Sequence, residues 1–393
     1  MNLASERVAD AYAISRLVPL YDQQTEWEYR MRMIEEAQRF LYASTYFIQH
    51  DRYGREYVDA LLKAHERGVS IHLLIDGFGQ ILAGNLMTQK EKESIKQALA
   101  ALTTAGGNVT FYRCATTLQR LLGSGMHIKI QLSERGGALF SSGNISATSY
   151  DKWREFSVYV EGPIVGRLME EFTALGISVD ASHTQYLHES IVKTHATGTL
   201  RYLSYNPTLD PHPFNPVRLK RPNIITDYFV GAFARATRHI RLTSLYFKPA
   251  PVLLRSLIDA ANRGVSVEIF HSHRDALGAS IVPWIPSFYL YRRLTQAGIA
   301  IYENLRGEHS KIILIDDSTA IFGSYNFEYA AHDRLAEAIM ISEDKKLLET
   351  IGALFSRLRE SAENVKVNAA APDTLPKDGR WKILLSWPFA RWL

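Results

Sequence analysis

The chain has 393 residues, of which 46% are apolar and 22% charged. That is globular composition, and it excludes wholesale disorder and collagen-like structure. A single cysteine, Cys114, excludes an intrachain disulfide framework and any Cys-rich zinc centre, and the formal charge of +4 is too small to argue nucleic-acid binding by itself, though it suits an anionic membrane or a phosphate substrate.

The first residues carry Glu6, Arg7 and Asp10 without a long apolar core, so no secretory signal is expected. No uncharged apolar run approaches the roughly 18–20 residues that span a bilayer, so membrane work is expected from the surface. An amphipathic helix is predicted over about 26–39, then a β-favouring run holding Ser44-Thr45-Tyr46-Phe47. Residues 61–76 next read as a helix, an Arg67-Gly68-Val69-Ser70 stop and a buried strand. Both patterns return later: a helix over about 225–238, Ser244-Leu245-Tyr246-Phe247, and a helix ending at Arg263-Gly264-Val265-Ser266. Each half therefore reads strand, helix, strand, a βαβ unit, and two such units predict two α/β domains related by duplication.

The expected organisation is an N-terminal domain over 1–180, a connector over 181–222, a C-terminal domain over 223–367 and a tail over 368–393. The connector holds Asp210-Pro211-His212-Pro213 and the basic residues Arg218, Lys220 and Arg221. That basic cluster reads either as a solvated linker or as a contact for lipid phosphates. The tail is an Ala/Pro-containing tether followed by Trp381, Trp387 and Trp392 among Lys and Arg. It suits the headgroup interface, or equally a segment docking on its own domain.

The chemistry lies in a second repeat. His-x-Lys occurs twice, at His127/Lys129 and His309/Lys311, where chance gives about half an occurrence. Each histidine is followed by an acid at +7 (Glu134, Asp316), serine at +15 (Ser142, Ser324), asparagine at +17 (Asn144, Asn326) and glutamate at +28 (Glu155, Glu337). Duplication alone would keep the apolar positions. It would not keep six polar groups in register. On a strand, His and Lys two apart share a face, and a Gly/Ser turn can bring the hydroxyl and amide beside them. Imidazole, ammonium and amide groups converging from two halves make a nucleophilic, anion-binding site that needs no metal or cofactor. His271 and His273 resemble a metal pair on a strand, but no carboxylate or cysteine set accompanies them, and a loop role is expected.

His309-x-Lys311-x4-Asp316-x6-Gly323-Ser324-x-Asn326 resembles the HKD motif of the phospholipase D superfamily at every position. The first copy departs at Glu134, for the usual Asp, and at Ser141, for the usual Gly. The resemblance runs from about residue 26 to 345. Asp51-x-x-Gly54-Arg55-Glu56, Asp76-Gly77-Phe78-Gly79, and Trp153-Arg154-Glu155 leading to Glu161-Gly162-Pro163 look like bacterial cardiolipin synthases of the short peripheral type.

The resemblance implies two similar phospholipase D-like α/β domains in pseudo-twofold arrangement, with one active site at their interface. It implies double displacement at a phosphodiester, with His127 as nucleophile and His309 as acid and base. The residues themselves do not order the two histidines. Lys129, Lys311, Asn144 and Asn326 would hold non-bridging oxygens, with Ser142 and Ser324 in support. Glu155 and Glu337 would each orient a histidine ring. Glu134 and Asp316 are read as shaping turns. Ser141 is expected either to crowd the phosphate or, at a positive φ, to strain the backbone.

The leading expectation is a phosphatidyltransferase forming cardiolipin or a related phospholipid, with phosphatidylglycerol as substrate, at the cytoplasmic face of the cell membrane. Alternatives are a hydrolytic phospholipase D, a nuclease and a catalytically inert lipid-binding module. No nucleic-acid partner is expected, because no basic stripe or aromatic stacking platform is visible.

Overall fold

The computed structural model describes residues 10–191, 195–209, 223–277 and 284–368. The basic cluster at 218–221 and the tryptophan-bearing tail lie outside the described residues. Among the described residues no helix is long and apolar enough to cross a membrane.

The described residues begin with two short strands, β1 (Asp10–Ile14) and β2 (Arg16–Leu20). The first half continues with β3 (Phe40–Thr45), β4 (Ser70–Asp76), β5 (Asn108–Tyr112), β6 (Gly125–Met126), β7 (Ile130–Ser133), β8 (Gly137–Ser141) and β9 (Ser157–Glu161). The second half holds β10 (Gly198–Tyr205), β11 (His239–Ser244), β12 (Ser266–Ser272), β13 (Ala300–Asn304), β14 (Ile312–Ile315), β15 (Thr319–Gly323), β16 (Leu335–Ser342) and β17 (Asn364–Lys366).

They form two sheets. One has the order β2-β9-β8-β7-β3-β4-β5, the other β1-β10-β16-β15-β14-β11-β12-β13-β17. The six strands β9-β8-β7-β3-β4-β5 repeat as β16-β15-β14-β11-β12-β13. These are the two similar α/β domains of the expected fold class.

Local chemistry explains the repeat. In the first half the helix Arg52–Glu66 starts where Asp51 accepts the Gly54 N–H at 3.0 Å, and it stops before Gly68 at φ +94°. It buries Tyr57, Val58 and Leu61 and delivers the chain to β4, which pairs with β3 in parallel. The second half does the same with Pro251–Asn262, Gly264 at φ +93° and the parallel pair β11/β12. Glycine is needed at both stops because a Cβ opposes the left-handed conformation.

The two sheets share a central core. Phe140 and Phe156 of the first half meet Phe322 and Met340 of the second, and the helices Ile164–Ala174 and Lys345–Glu360 bury their apolar faces in it. Phe156 and Phe322 cross edge to face with ring centres 5.5 Å apart. The helix Ala181–Ile191 adds Leu187 and Ile191 to this core, whereas Arg52–Glu66 and Pro251–Asn262 lie over two separate cores. Burying one continuous apolar layer between the halves fixes their mutual placement, and with it the site.

Two segments sit differently from the expected boundaries. Ser15 separates β2, in the first sheet, from β1, which pairs antiparallel with β10 in the second. The stretch read as a connector contains the helix Ala181–Ile191 and β10, which pairs with β16 as an integral strand. The proline and asparagine turn signals in that stretch masked an eight-residue strand whose pairing partners lie far away in sequence.

Candidate active site

Both His-x-Lys segments lie where the two sheets meet, and each is pinned to the opposite half. The His127 N–H donates to the Ala336 carbonyl at 2.9 Å, and the His309 N–H donates to the Arg154 carbonyl at 2.8 Å. In each case the acceptor is the residue just before a motif glutamate. The main chain therefore lays each histidine beside the carboxylate of the other half.

The side chains complete this crossing. His309 Nδ1 lies 2.6 Å from Glu155 Oε1. His127 Nδ1 lies 3.0 Å from the Ser324 carbonyl and 3.1 Å from Glu337 Oε1. A carbonyl can only accept, so Nδ1 of His127 carries the hydrogen and Nε2 keeps its lone pair. Both rings are nearly enclosed, at 4% and 3% exposure.

The two pairs are chemically unequal. Burial favours the neutral form of Glu155, but His309, Lys311 and the Ser142 hydroxyl outweigh it and hold its pKa below the usual carboxylate value. For Glu337 burial prevails, and its pKa rises well above normal despite Ser324 and Lys129. Burial lowers His309 to about 4, with Glu155 opposing the shift, whereas burial together with Lys129 and Lys311 drives His127 well below its ordinary value. Only His309 has a carboxylate close enough to oppose the effect of burial strongly.

Lys129 Nζ donates to the His127 carbonyl at 2.7 Å, and Lys311 Nζ donates to that of His309. Burial, reinforced by Lys311, lowers Lys129 to about 7. Burial lowers Lys311 to about 8 against the attraction of Glu155 and Glu337. Two desolvated ammonium groups in one buried site are the electrostatic signature of an anion site. Asn144 and Asn326 are buried there too, and the Oδ1 of each has no hydrogen-bond partner among the described residues.

The serines sit differently from the expected substrate-binding role. Ser142 Oγ donates to Glu155 at 2.6 Å and accepts from the Phe156 N–H at 2.9 Å. Ser324 Oγ likewise donates to Glu337 and accepts from the Ala338 N–H. A hydroxyl has one proton to give, and here it goes to the carboxylate. Both serines therefore orient the glutamates rather than reach for phosphate.

The acids at +7 are remote from the histidines. Glu134 accepts the Gln38 and Phe40 N–H groups at 2.9 and 3.3 Å, and Asp316 accepts those of Thr237, Arg238 and His239. Each ties the β-turn of its motif to the start of the neighbouring antiparallel strand, β3 or β11. Ser141 has no positive φ. Its Oγ instead accepts from the Gly143 N–H at 3.0 Å and from Ser157 Oγ at 2.8 Å. His271 is bonded to Tyr291 and the Ser272 carbonyl in the second half, and among the described residues no cluster fit for a metal ion occurs.

Several neighbours escaped sequence reasoning. Tyr46 packs edge-on against His127 at 5.0 Å and lies under Lys129, and Trp153 packs against His309 at 5.0 Å. Tyr46 was legible in principle, since Tyr246 repeats it. Lys248 and Glu328 form a buried ion pair at 3.5 Å, and Glu328 also accepts from Asn326 Nδ2. Their counterparts in the first half are Ile48 and Ser146, so a search for matched residues passes them over.

The sequence family described as "Cardiolipin synthase, PLD-like domain" matches residues 31–175 and 229–359. The chain belongs to this family. It is a phospholipase D-type, cardiolipin synthase-like enzyme. It is 26% identical over 379 residues to cardiolipin synthase B of Salmonella typhimurium, covering 91% of this chain and 83% of that protein. It is 24% identical over 333 residues to cardiolipin synthase B of Escherichia coli K12, covering 81% and 74%. The fold matches the crystal structure of phosphatidylserine synthase from Haemophilus influenzae with a TM-score of 0.74 at 12% identity, over 96% of this chain and 95% of that one.

Proposed function

We propose that the protein is a phosphatidyltransferase that forms cardiolipin or a related phospholipid, using phosphatidylglycerol, from the cytoplasmic face of the membrane. The observation that carries this reading is the crossed pair of histidines, each with Nδ1 engaged and Nε2 free, beside two desolvated lysines. The family membership and the names of the relatives point the same way.

The chemistry is a double displacement through a phosphohistidine. His127 Nε2 attacks phosphorus while the bond from phosphorus to the departing glycerol oxygen breaks. His309, as imidazolium, gives its Nε2 proton to that oxygen. A second phosphatidylglycerol then enters. His309 Nε2 takes the proton from its free hydroxyl, the new P–O bond forms and the P–N bond to His127 breaks. Lys129, Lys311, Asn144 and Asn326 stabilise the non-bridging oxygens, and Glu155 and Glu337 fix the rings.

The unequal pairs support the order of the two roles. Ionised Glu155 favours a charged His309, the state a general acid must reach. His127 stays neutral, the state a nucleophile requires. The negative phosphodiester opposes the depression of His309, so substrate binding itself helps charge the acid.

The test is mass spectrometry of lipids after incubating pure protein with phosphatidylglycerol vesicles, beside His127→Ala and His309→Ala. Cardiolipin and free glycerol from the wild type alone is the expected result. Phosphatidic acid instead would make the protein a hydrolase, and no phosphatidyl product would overturn the reading.

A further inference from the structure

The helix Gly77–Gly84 leads from the active site to an apolar groove. Its cap, Asp76, accepts the Met126 N–H beside His127 as well as the Gly79 N–H. Gln80 on the same helix is bonded to both main-chain groups of Ile48, two residues after Tyr46. Eight helical residues span about 12 Å. Along this helix opens a groove of about 610 Å³ over Ile81, Met87, Ile95, Leu99 and Phe111. A second depression of about 300 Å³ adjoins it, sharing Gln80, Ile81 and Phe111.

The surroundings are unusual for this molecule. Ten large apolar side chains are exposed among the described residues, and six of them lie between 81 and 121. Leu86 and Leu121 are the most open, at 70% and 71%. Isolated exposed leucines need no explanation, but a contiguous patch marks an interaction surface. The charged residues lining the two depressions are Lys92, Lys96, Arg113 and Arg120, with no carboxylate among them. Apolar depressions whose lining charges are all cations fit the headgroup and acyl boundary of an anionic membrane, Glu91 and Glu93 of the helix Gln89–Ala105 lying outside that lining.

We propose that this face, formed by residues 81–121, seats the protein on an anionic phospholipid bilayer. Leu86 and Leu121 enter the acyl region while Lys92, Lys96, Arg113 and Arg120 meet lipid phosphates. The assignment rests on the phosphatidyltransferase reading in one respect: a bilayer substrate must lie beside His127, and this face is joined to that residue by one helix.

The test is vesicle flotation of the full chain, with phosphatidylglycerol-containing and pure phosphatidylcholine vesicles, beside L86E/L121E and K92E/K96E. Turnover of dihexanoyl phosphatidylglycerol below its micellar concentration is followed in parallel. Both variants should bind phosphatidylglycerol vesicles at least about tenfold more weakly, keep the wild-type melting temperature and retain short-chain turnover. The charge-reversed pair keeps the test decisive if the leucine variant fails to fold. Wild-type binding by either folded variant overturns the proposal, as does equal binding of the wild type to pure phosphatidylcholine. A dimer that dissociates in L86E/L121E while vesicle binding persists assigns the face to a second copy instead. Lost binding with no turnover of either lipid by any form leaves the docking face standing and removes the functional reading.

Discussion

Glu155 belongs to the first half of the chain, and its Oε1 lies 2.6 Å from Nδ1 of His309 in the second. The converse contact, Glu337 to His127, is longer and shared with the Ser324 carbonyl. That inequality separates the two glutamates functionally. Glu155→Gln removes the ionised acceptor on His309 and should lower kcat by about 10²–10⁴ with KM little changed. Glu337→Gln leaves the Ser324 carbonyl to hold the His127 tautomer, and its loss should be at least about tenfold smaller. Steady-state kinetics of the two variants decides the point, and equal losses would refute the asymmetry.

The order of the histidines can be trapped. A nitrophenyl phosphodiester expels a leaving group that needs no proton. With His309→Ala it should release about one equivalent of nitrophenolate and leave an acid-labile adduct on His127. His127→Ala should give neither. Intact-protein and peptide mass spectrometry locates the adduct, and its appearance on His309 would reverse the two roles.

The lysines predict an alkaline limb. Lys129 is lowered to about 7 and Lys311 to about 8, each chiefly by burial. Raising the pH through this window removes positive charge from the site. Anion binding and kcat/KM should therefore fall above about pH 8, and inorganic phosphate should inhibit less there. Lys129→Gln should weaken phosphate inhibition at pH 6 and flatten the limb. A pH profile of kcat/KM, level from 6 to 9, would contradict this.

Ser141 and Gly323 occupy matching motif positions in unlike surroundings. A Cβ on Gly323 would come within 2.3 Å of the Ala338 carbonyl oxygen, which a sheet cannot move aside. Gly323→Ser should destabilise by about 1–3 kcal/mol and impair activity through the displaced Ser324. Ser141→Gly loses two hydrogen bonds and adds backbone freedom, and should cost about 1–2 kcal/mol with activity retained. Thermal melting beside activity distinguishes the two effects.

Asp316 is a structural acid, and its pH signature has a definite sign. Burial works against its charge, but the His239, Thr237 and Arg238 N–H groups lower it to about 2. Its stabilisation is complete above the ordinary carboxylate value and is lost as pH falls through about 2. Asp316→Asn should melt earlier at pH 7, by an amount worth about 1–2 kcal/mol, and should lose less than the wild type on acidification from pH 4 to 2. Acid titration of melting temperature checks both.

The local sequence carried a great deal of this. Arg-Gly-Val-Ser after each helix marks the same left-handed stop at Gly68 and Gly264, because only local backbone sterics are involved. The HKD spacing singles out His127, Lys129, His309 and Lys311, although the structure places them in the extended segments just ahead of β7 and β14 rather than on those strands. The partners of Glu134 and Asp316 were not readable, because the N–H groups they accept lie 94–96 and 77–79 residues away in sequence rather than in their own turns.

The tertiary structure decided whatever depends on the other half. Each glutamate at +28 serves the histidine of the opposite motif, because Ala336 and Arg154 pair with the main chain of His127 and His309 across the interface. No spacing within one motif encodes that crossing. Ser142 and Ser324 turn to carboxylates for the same reason: their partners are set by which strand lies alongside. Strand β10 hid among turn residues because its stability comes from β1 and β16, both far away in sequence. Spacing along the chain specifies which groups are available for chemistry; burial between two sheets specifies which of them meet, and so which carboxylate faces which ring.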